Sequence, residues 1–96
     1  MHAWPFDQAP DEVAVTTSSI LDGADVLLVL RYSDDGSWAF LDGRPFEVAE
    51  GRLIGIGEAL RVDPTLATIA DLGPGWRATR AHRGAAWERT PDVEDE

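Results

Sequence analysis

The run Asp25 to Tyr32, DVLLVLRY, constrains the fold more than any other stretch of this chain. Val26, Leu28, Leu30 and Tyr32 fall on one side of an extended segment, and Leu27 and Val29 on the other. A strand that is apolar at both parities needs cover on both sides, so it belongs inside a sheet rather than at its edge. Ser33-Asp34-Asp35-Gly36 follows, a set of turn formers ending in a glycine that can take positive φ. Ser37 to Leu41 (SWAFL) then returns, with Trp38 and Phe40 on the same face. The two runs predict a β-hairpin.

The remaining elements are read around that hairpin. Val13 to Thr17 (VAVTT) is β-branched and predicts a strand, followed by a turn or short helical stretch over Ser18 to Gly23. Asp42 to Gly51 is a loop containing Pro45, with Phe46 turned inward. Arg52 to Gly57 (RLIGIG) predicts a strand, and Glu58 to Arg61 a helical turn. At Asp63-Pro64 an acidic cap precedes a proline in the first helical position, where its missing N–H costs nothing. A helix is therefore expected from Asp63 to Leu72, with Leu66, Ile69, Ala70 and Leu72 on one stripe and Gly73-Pro74 as its stop. Trp76 to Ala81 and Ala86 to Thr90 predict a second hairpin around His82-Arg83-Gly84.

Residues 1–12 contain two prolines and exclude a long helix. Trp4 and Phe6 are too apolar to leave in water, so this stretch is expected to be an extended arm pinned to the core by both. The tail, residues 91–96 (PDVEDE), is expected to be disordered and acidic. The expected fold is a single α+β domain over residues 1–90. It has one antiparallel sheet of about five strands with one short helix packed on it.

Composition narrows the function. The 96 residues carry a formal charge of −10 and contain no cysteine and two histidines, His2 and His82. A disulfide and a thiolate metal site are thereby excluded, and the histidines are too few for a histidine cage. The longest apolar run, Val26 to Leu30, is far shorter than the ~18–20 residues of a membrane span. The N-terminus shows no basic region followed by an apolar stretch, so a cytoplasmic location is expected, without membrane association. All eight basic residues are arginine. Acidity of this degree opposes nucleic-acid binding, which needs a basic surface, and suits a basic protein partner.

No catalytic, metal or cofactor residue is predicted. Gly55-Ile56-Gly57 lacks the third glycine of a dinucleotide loop, since Leu60 stands there. Asp34-Asp35 has no calcium-loop spacing; the pair is explained by turn chemistry and also makes an exposed anionic handle. His82 is alone on a turn. The stretch Gly73 to Thr90 holds two of the four tryptophans and four of the eight arginines, and two readings of it stay open. Trp76 and Trp87 complete the core with stacked, ion-paired arginines around them, or this hairpin is a contact surface, since Trp and Arg dominate binding hot spots.

Several segments together resemble a family of small uncharacterised bacterial proteins. They are Trp4-Pro5-Phe6-Asp7-Gln8, Thr16-Thr17, Asp34-Asp35-Gly36-Ser37-Trp38 with Phe40-Leu41, Asp63-Pro64, Ala70-Asp71-Leu72, Gly75-Trp76 with Ala78 and Arg80, and Trp87 with Arg89. More loosely, the domain resembles immunity proteins of bacterial toxin systems. The resemblance implies a shared fold but no activity. Relatives carry a His-Asp pair ahead of the turn where this chain has Arg31-Tyr32, so no role for such a pair carries over.

The expectation is a non-enzymatic protein-binding domain, immunity-like, that meets a basic partner through Arg77, Arg80, Arg83, Asp34 and Asp35. The alternative is a small ligand-binding or enzymatic domain with an anion pocket lined by Arg77, Arg80 or Arg83. A homodimer through an open sheet edge is a third possibility, for which the sequence shows no discriminating feature.

Overall fold

A computed structural model describes Phe6, Ala9, residues 11–44 and residues 48–91. The predicted roles of Trp4 and Phe46, and the tail beyond Pro91, lie outside the described residues. Six strands form one sheet: β1 (Val13–Thr17), β2 (Leu28–Arg31), β3 (Trp38–Leu41), β4 (Gly51–Gly55), β5 (Trp76–Thr79) and β6 (Glu88–Pro91). Their order across the sheet is β4-β1-β3-β2-β5-β6. The protein is α+β, as its sequence predicts, but the sheet has six strands and is mixed rather than purely antiparallel. β1 and β3 run parallel with Val15 beside Ala39, while every other neighbouring pair is antiparallel. The cause is the place taken by β3. The hairpin turns it back antiparallel to β2, and because β1 and β2 run in opposite directions, β3 in the slot between them lies parallel to β1, with all four of its residues buried.

The predicted hairpins both form. Asp35 Oδ1 accepts the Ser37 N–H at 3.0 Å, and Gly36 closes the first turn at φ +73°. β2, from the Asp25–Tyr32 run, is interior as expected, held between β3 and β5, but the expected cover on both faces is not found: Val29 and Arg31 are buried, whereas Leu28 and Leu30 are half-buried.

The helices depart from expectation. In place of one helix over 63–72, a regular helix α2 (Ile56–Val62) is followed by a 3-10 helix over Pro64–Ile69; a short helix α1 (Ser18–Leu21) and a 3-10 turn (Val48–Glu50) are also present. Asp63 separates the two adjoining pieces. It precedes a proline, which disfavours the helical region, and it adopts φ −145° and ψ 92°. Its N–H closes α2 on the Ala59 carbonyl, while its carboxylate caps the next segment by accepting the Thr65 N–H at 3.0 Å. The predicted apolar stripe survives the change: Leu66, Ile69, Ala70 and Leu72 are all buried.

The helices α1 and α2 and the 3-10 helix Pro64–Ile69 face one side of the sheet. Ile20 of α1, Ile56 and Ala59 of α2, and Leu66 and Ile69 pack with Ala14, Val29, Trp38, Phe40 and Ala78. Phe6 joins them, edge-on to Trp38 at 5.0 Å and to Phe40 at 6.4 Å, while Trp38 stacks on Phe40 at 5.9 Å. Residues directly opposite on paired strands share a face. By that rule Val13, Val15, Leu28, Leu30, Leu53 and Arg77 point to the other side. Val13 and Leu53 are exposed there, and Val15, Leu28 and Leu30 are half-buried.

Candidate functional site

The arginine-rich hairpin is built around a buried acid. Asp63 is delivered by the junction of α2 and the 3-10 helix, and Arg80 by the residue after β5. Arg80 Nη2 donates to Asp63 Oδ2 at 2.8 Å, and both side chains are almost completely buried. Arg80 Nε donates to the Val26 carbonyl at 2.9 Å and Nη1 to Thr65 Oγ1 at 2.9 Å. The Trp87 ring lies over the same guanidinium at 4.2 Å, a cation–π contact. Arg83 Nε reaches Asp63 Oδ1 at 3.4 Å from the surface. Nearby, Arg89 pairs with Asp71 at 2.8 Å, and Trp87 Nε1 donates to Thr68 Oγ1 at 3.0 Å.

A cleft of about 380 Å³ lies here, lined by residues that include Thr65, Thr68, Arg80, Trp87 and Arg89. Each arginine that lines or overlooks it already faces a carboxylate. Arg80 and Arg83 share Asp63, and Arg89 holds Asp71. An incoming anion would compete with those carboxylates, so the arrangement works against anion capture.

The three arginines singled out in the sequence are therefore not brought together. Arg80 is buried under Trp87, Arg83 sits at the surface above Asp63, and Arg77 is exposed on the opposite face of the sheet beside Leu30. Trp76 is 40% exposed, whereas Trp87 packs against the core. Arg31 is a further buried arginine whose part the sequence reading missed. Its Nη1 donates to the Leu72 carbonyl at 2.8 Å, its Nε to the Gly36 carbonyl at 3.2 Å, and its guanidinium stands 4.9 Å from the Trp38 ring. The available signal was an arginine at an inward position of an otherwise apolar strand.

The acidic turn has a different setting. Asp34 and Asp35 are exposed at the tip of the β2–β3 hairpin. The Ser37 N–H bond, helped by the Ser37 side chain, holds the Asp35 carboxyl below the ordinary carboxylate value. Because β1 and β3 are parallel, the start of β1 lies beside this tip. Glu12, Val13, Asp35, Gly36, Ser37, Trp38 and Ile56 line a cleft of about 360 Å³ between them. The cleft combines two acidic residues, Glu12 and Asp35, with the exposed apolar side chain of Val13, while Trp38 and Ile56 are buried beneath it. That combination fits a long basic side chain, which lays its methylenes on apolar surface and presents its charge to carboxylates. Glu12 was not singled out from the sequence, since only the parallel pairing brings it to the turn.

Among the described residues, no group of three or more His, Cys, Asp or Glu is placed to hold a metal ion, and no helix is long and apolar enough to cross a membrane. Compared with protein-family models, curated proteins and solved structures, the chain matches none.

Proposed function

We propose that this chain is a non-enzymatic, cytoplasmic protein-binding domain that receives a lysine or arginine of a basic partner in the cleft between Glu12 and Asp35. The observation that carries this reading is that Glu12 and Asp35 line one open cleft together with Val13, which is exposed. Asp34, next to it on the exposed tip, extends the negative surface. The charge of −10 steers a basic partner toward the domain and makes affinity fall as salt rises. Arg80 serves the fold in this reading, since its guanidinium is spent on Asp63, Thr65 and Val26. The resemblance to immunity proteins of toxin systems agrees in kind, as those are small domains that bind a protein rather than transform a substrate.

The test is affinity capture from the source cell at low salt, comparing the native chain with a Glu12→Gln/Asp34→Asn/Asp35→Asn variant. These positions are at the surface, so the variant should fold. One protein held by the native chain, released by moderate salt and lost by the variant is the expected result. A partner bound equally by the variant, or binding indifferent to salt, sinks the reading, and so does capture of nothing by either chain.

A further inference from the structure

We infer that β4 is the edge through which a second copy of this chain joins the sheet, in antiparallel register centred on Leu53. This goes beyond the cleft at Glu12 and Asp35 and does not depend on it.

The two outer strands differ. Among the described residues, no strand pairs with the far side of β4 or of β6. β6 carries Glu88, Arg89 and Pro91, charged and proline residues of the kind that blunt an edge. β4 (GRLIG) has no proline, and its register against β1 runs unbroken from Val13–Gly55 to Thr17–Gly51, so it has no bulge. Its one charged residue is Arg52. Leu53 is 71% exposed, the most exposed large apolar side chain described.

The hydrogen-bond phase decides which groups face outward. The Ile56 N–H bonds the Glu12 carbonyl at 2.9 Å. Bonded and non-bonded pairs alternate along an antiparallel ladder, so Ala14–Ile54 and Thr16–Arg52 are bonded pairs. Gly51, Leu53 and Gly55 then turn their free backbone groups away from β1. An exposed side chain already finds one of these: Arg52 Nη1 donates to the Gly51 carbonyl at 2.8 Å. The Gly55 carbonyl serves α2, which Gly55 caps.

What remains is its own complement. With a two-fold axis at Leu53, Leu53 of each copy exchanges N–H and C=O with the other, and each Gly55 N–H meets the other copy's Gly51 carbonyl, which keeps a second lone pair. Gly51 and Gly55, two positions either side of Leu53 and on its face, place no side chain in the way, so the two leucines meet on the uncovered face of the sheet. Such a contact is isologous and closes as a dimer. Charge favours this seam over others. A chain of −10 repels its copies across most of its surface, whereas β4 brings an arginine and no carboxylate.

The experiment is sedimentation equilibrium of the full chain from low to high micromolar concentration, with circular dichroism to confirm folding. Three variants are compared. Leu53→Pro removes an N–H that only a second copy would use, Leu53→Lys places charge at the axis, and Thr90→Lys alters the opposite edge. A dimer for the native chain and Thr90→Lys, with association weakened at least tenfold in Leu53→Lys and in Leu53→Pro if it folds, is expected. A monomeric native chain, a dimer indifferent to Leu53→Lys, or equal loss in Thr90→Lys overturns the inference.

Discussion

Arg80 and Asp63 meet at 2.8 Å with side chains 1% and 3% exposed, and this pair joins three separate parts of the chain. Through Val26 it holds the approach to β2, through Thr65 the start of the 3-10 helix, and through its own backbone the end of β5. Taking both charges out of water is costly, and the pair is tolerable because every other group around it is satisfied. Removing one partner leaves the other charge buried and alone. Arg80→Met and Asp63→Leu should each destabilise the domain by about 3–5 kcal/mol, and the double variant by much less than their sum. Urea unfolding measures all three; single losses below about 1 kcal/mol would show that the pair contributes little.

Phe6 is the described residue that fastens the N-terminal segment to the sheet. It sits edge-on to both Trp38 and Phe40 and is 5% exposed. Phe6→Ala should cost about 3–5 kcal/mol and change the near-ultraviolet dichroism of Trp38, because the indole loses its edge contact. Unchanged aromatic dichroism together with unchanged stability would mean that this segment does not complete the core.

Gly75 shows a local backbone constraint. It enters β5 at φ +83°, and a Cβ built there would stand 3.4 Å from the Ser33 Cβ. Its N–H bonds the Arg31 carbonyl at 2.8 Å, so the loop cannot swing aside without losing a bond. Gly75→Ala should cost about 1–2 kcal/mol from the left-handed conformation alone. A thermal melt equal to that of the native chain would refute this.

Local pattern carried much of the fold and little of the site. The Asp25–Tyr32 run announced an interior strand, and β2 does lie between β3 and β5; the cover on both faces that its pattern also announced is not matched, since Leu28 and Leu30 are only half-buried. Asp63-Pro64 announced a cap and a helical start; the cap is present, but the segment that follows is a 3-10 helix, and α2 just before it reads in the sequence only as a turn. The pattern is silent on which strands become neighbours, so the parallel β1–β3 contact, and with it the Glu12–Asp35 cleft, could not be read. Alternation along β5 puts positions 77 and 80 on opposite faces. It could not show that Asp63, seventeen positions before Arg80, would take up that guanidinium. For Arg31 the inward position was legible, but not its acceptors: two of them, the Gly36 and Leu72 carbonyls, are backbone groups that any sequence supplies.

Asp42 gives the domain a pH dependence whose sign follows from its contacts. Burial raises its pKa, but Arg44 and Ser19 outweigh that and hold the carboxyl below the ordinary value of 3.8. Arg44 donates through Nε at 2.9 Å and Nη2 at 2.8 Å, its backbone N–H adds a bond at 3.1 Å, and Ser19 Oγ adds one at 3.0 Å. A group with a depressed folded pKa binds fewer protons folded than unfolded. Its contribution is therefore complete above the unfolded value and is lost as pH falls through the lower, folded one. The native chain should lose stability in acid below about 3.8, the Asp42 value in the absence of these bonds. Asp42→Asn should be less stable near neutrality, and its deficit should shrink as the pH is lowered through that window. Urea unfolding of both chains across the acid range measures the difference, and a deficit that stays constant or grows toward low pH would show that the Asp42 bonds are not what sets the acid limb.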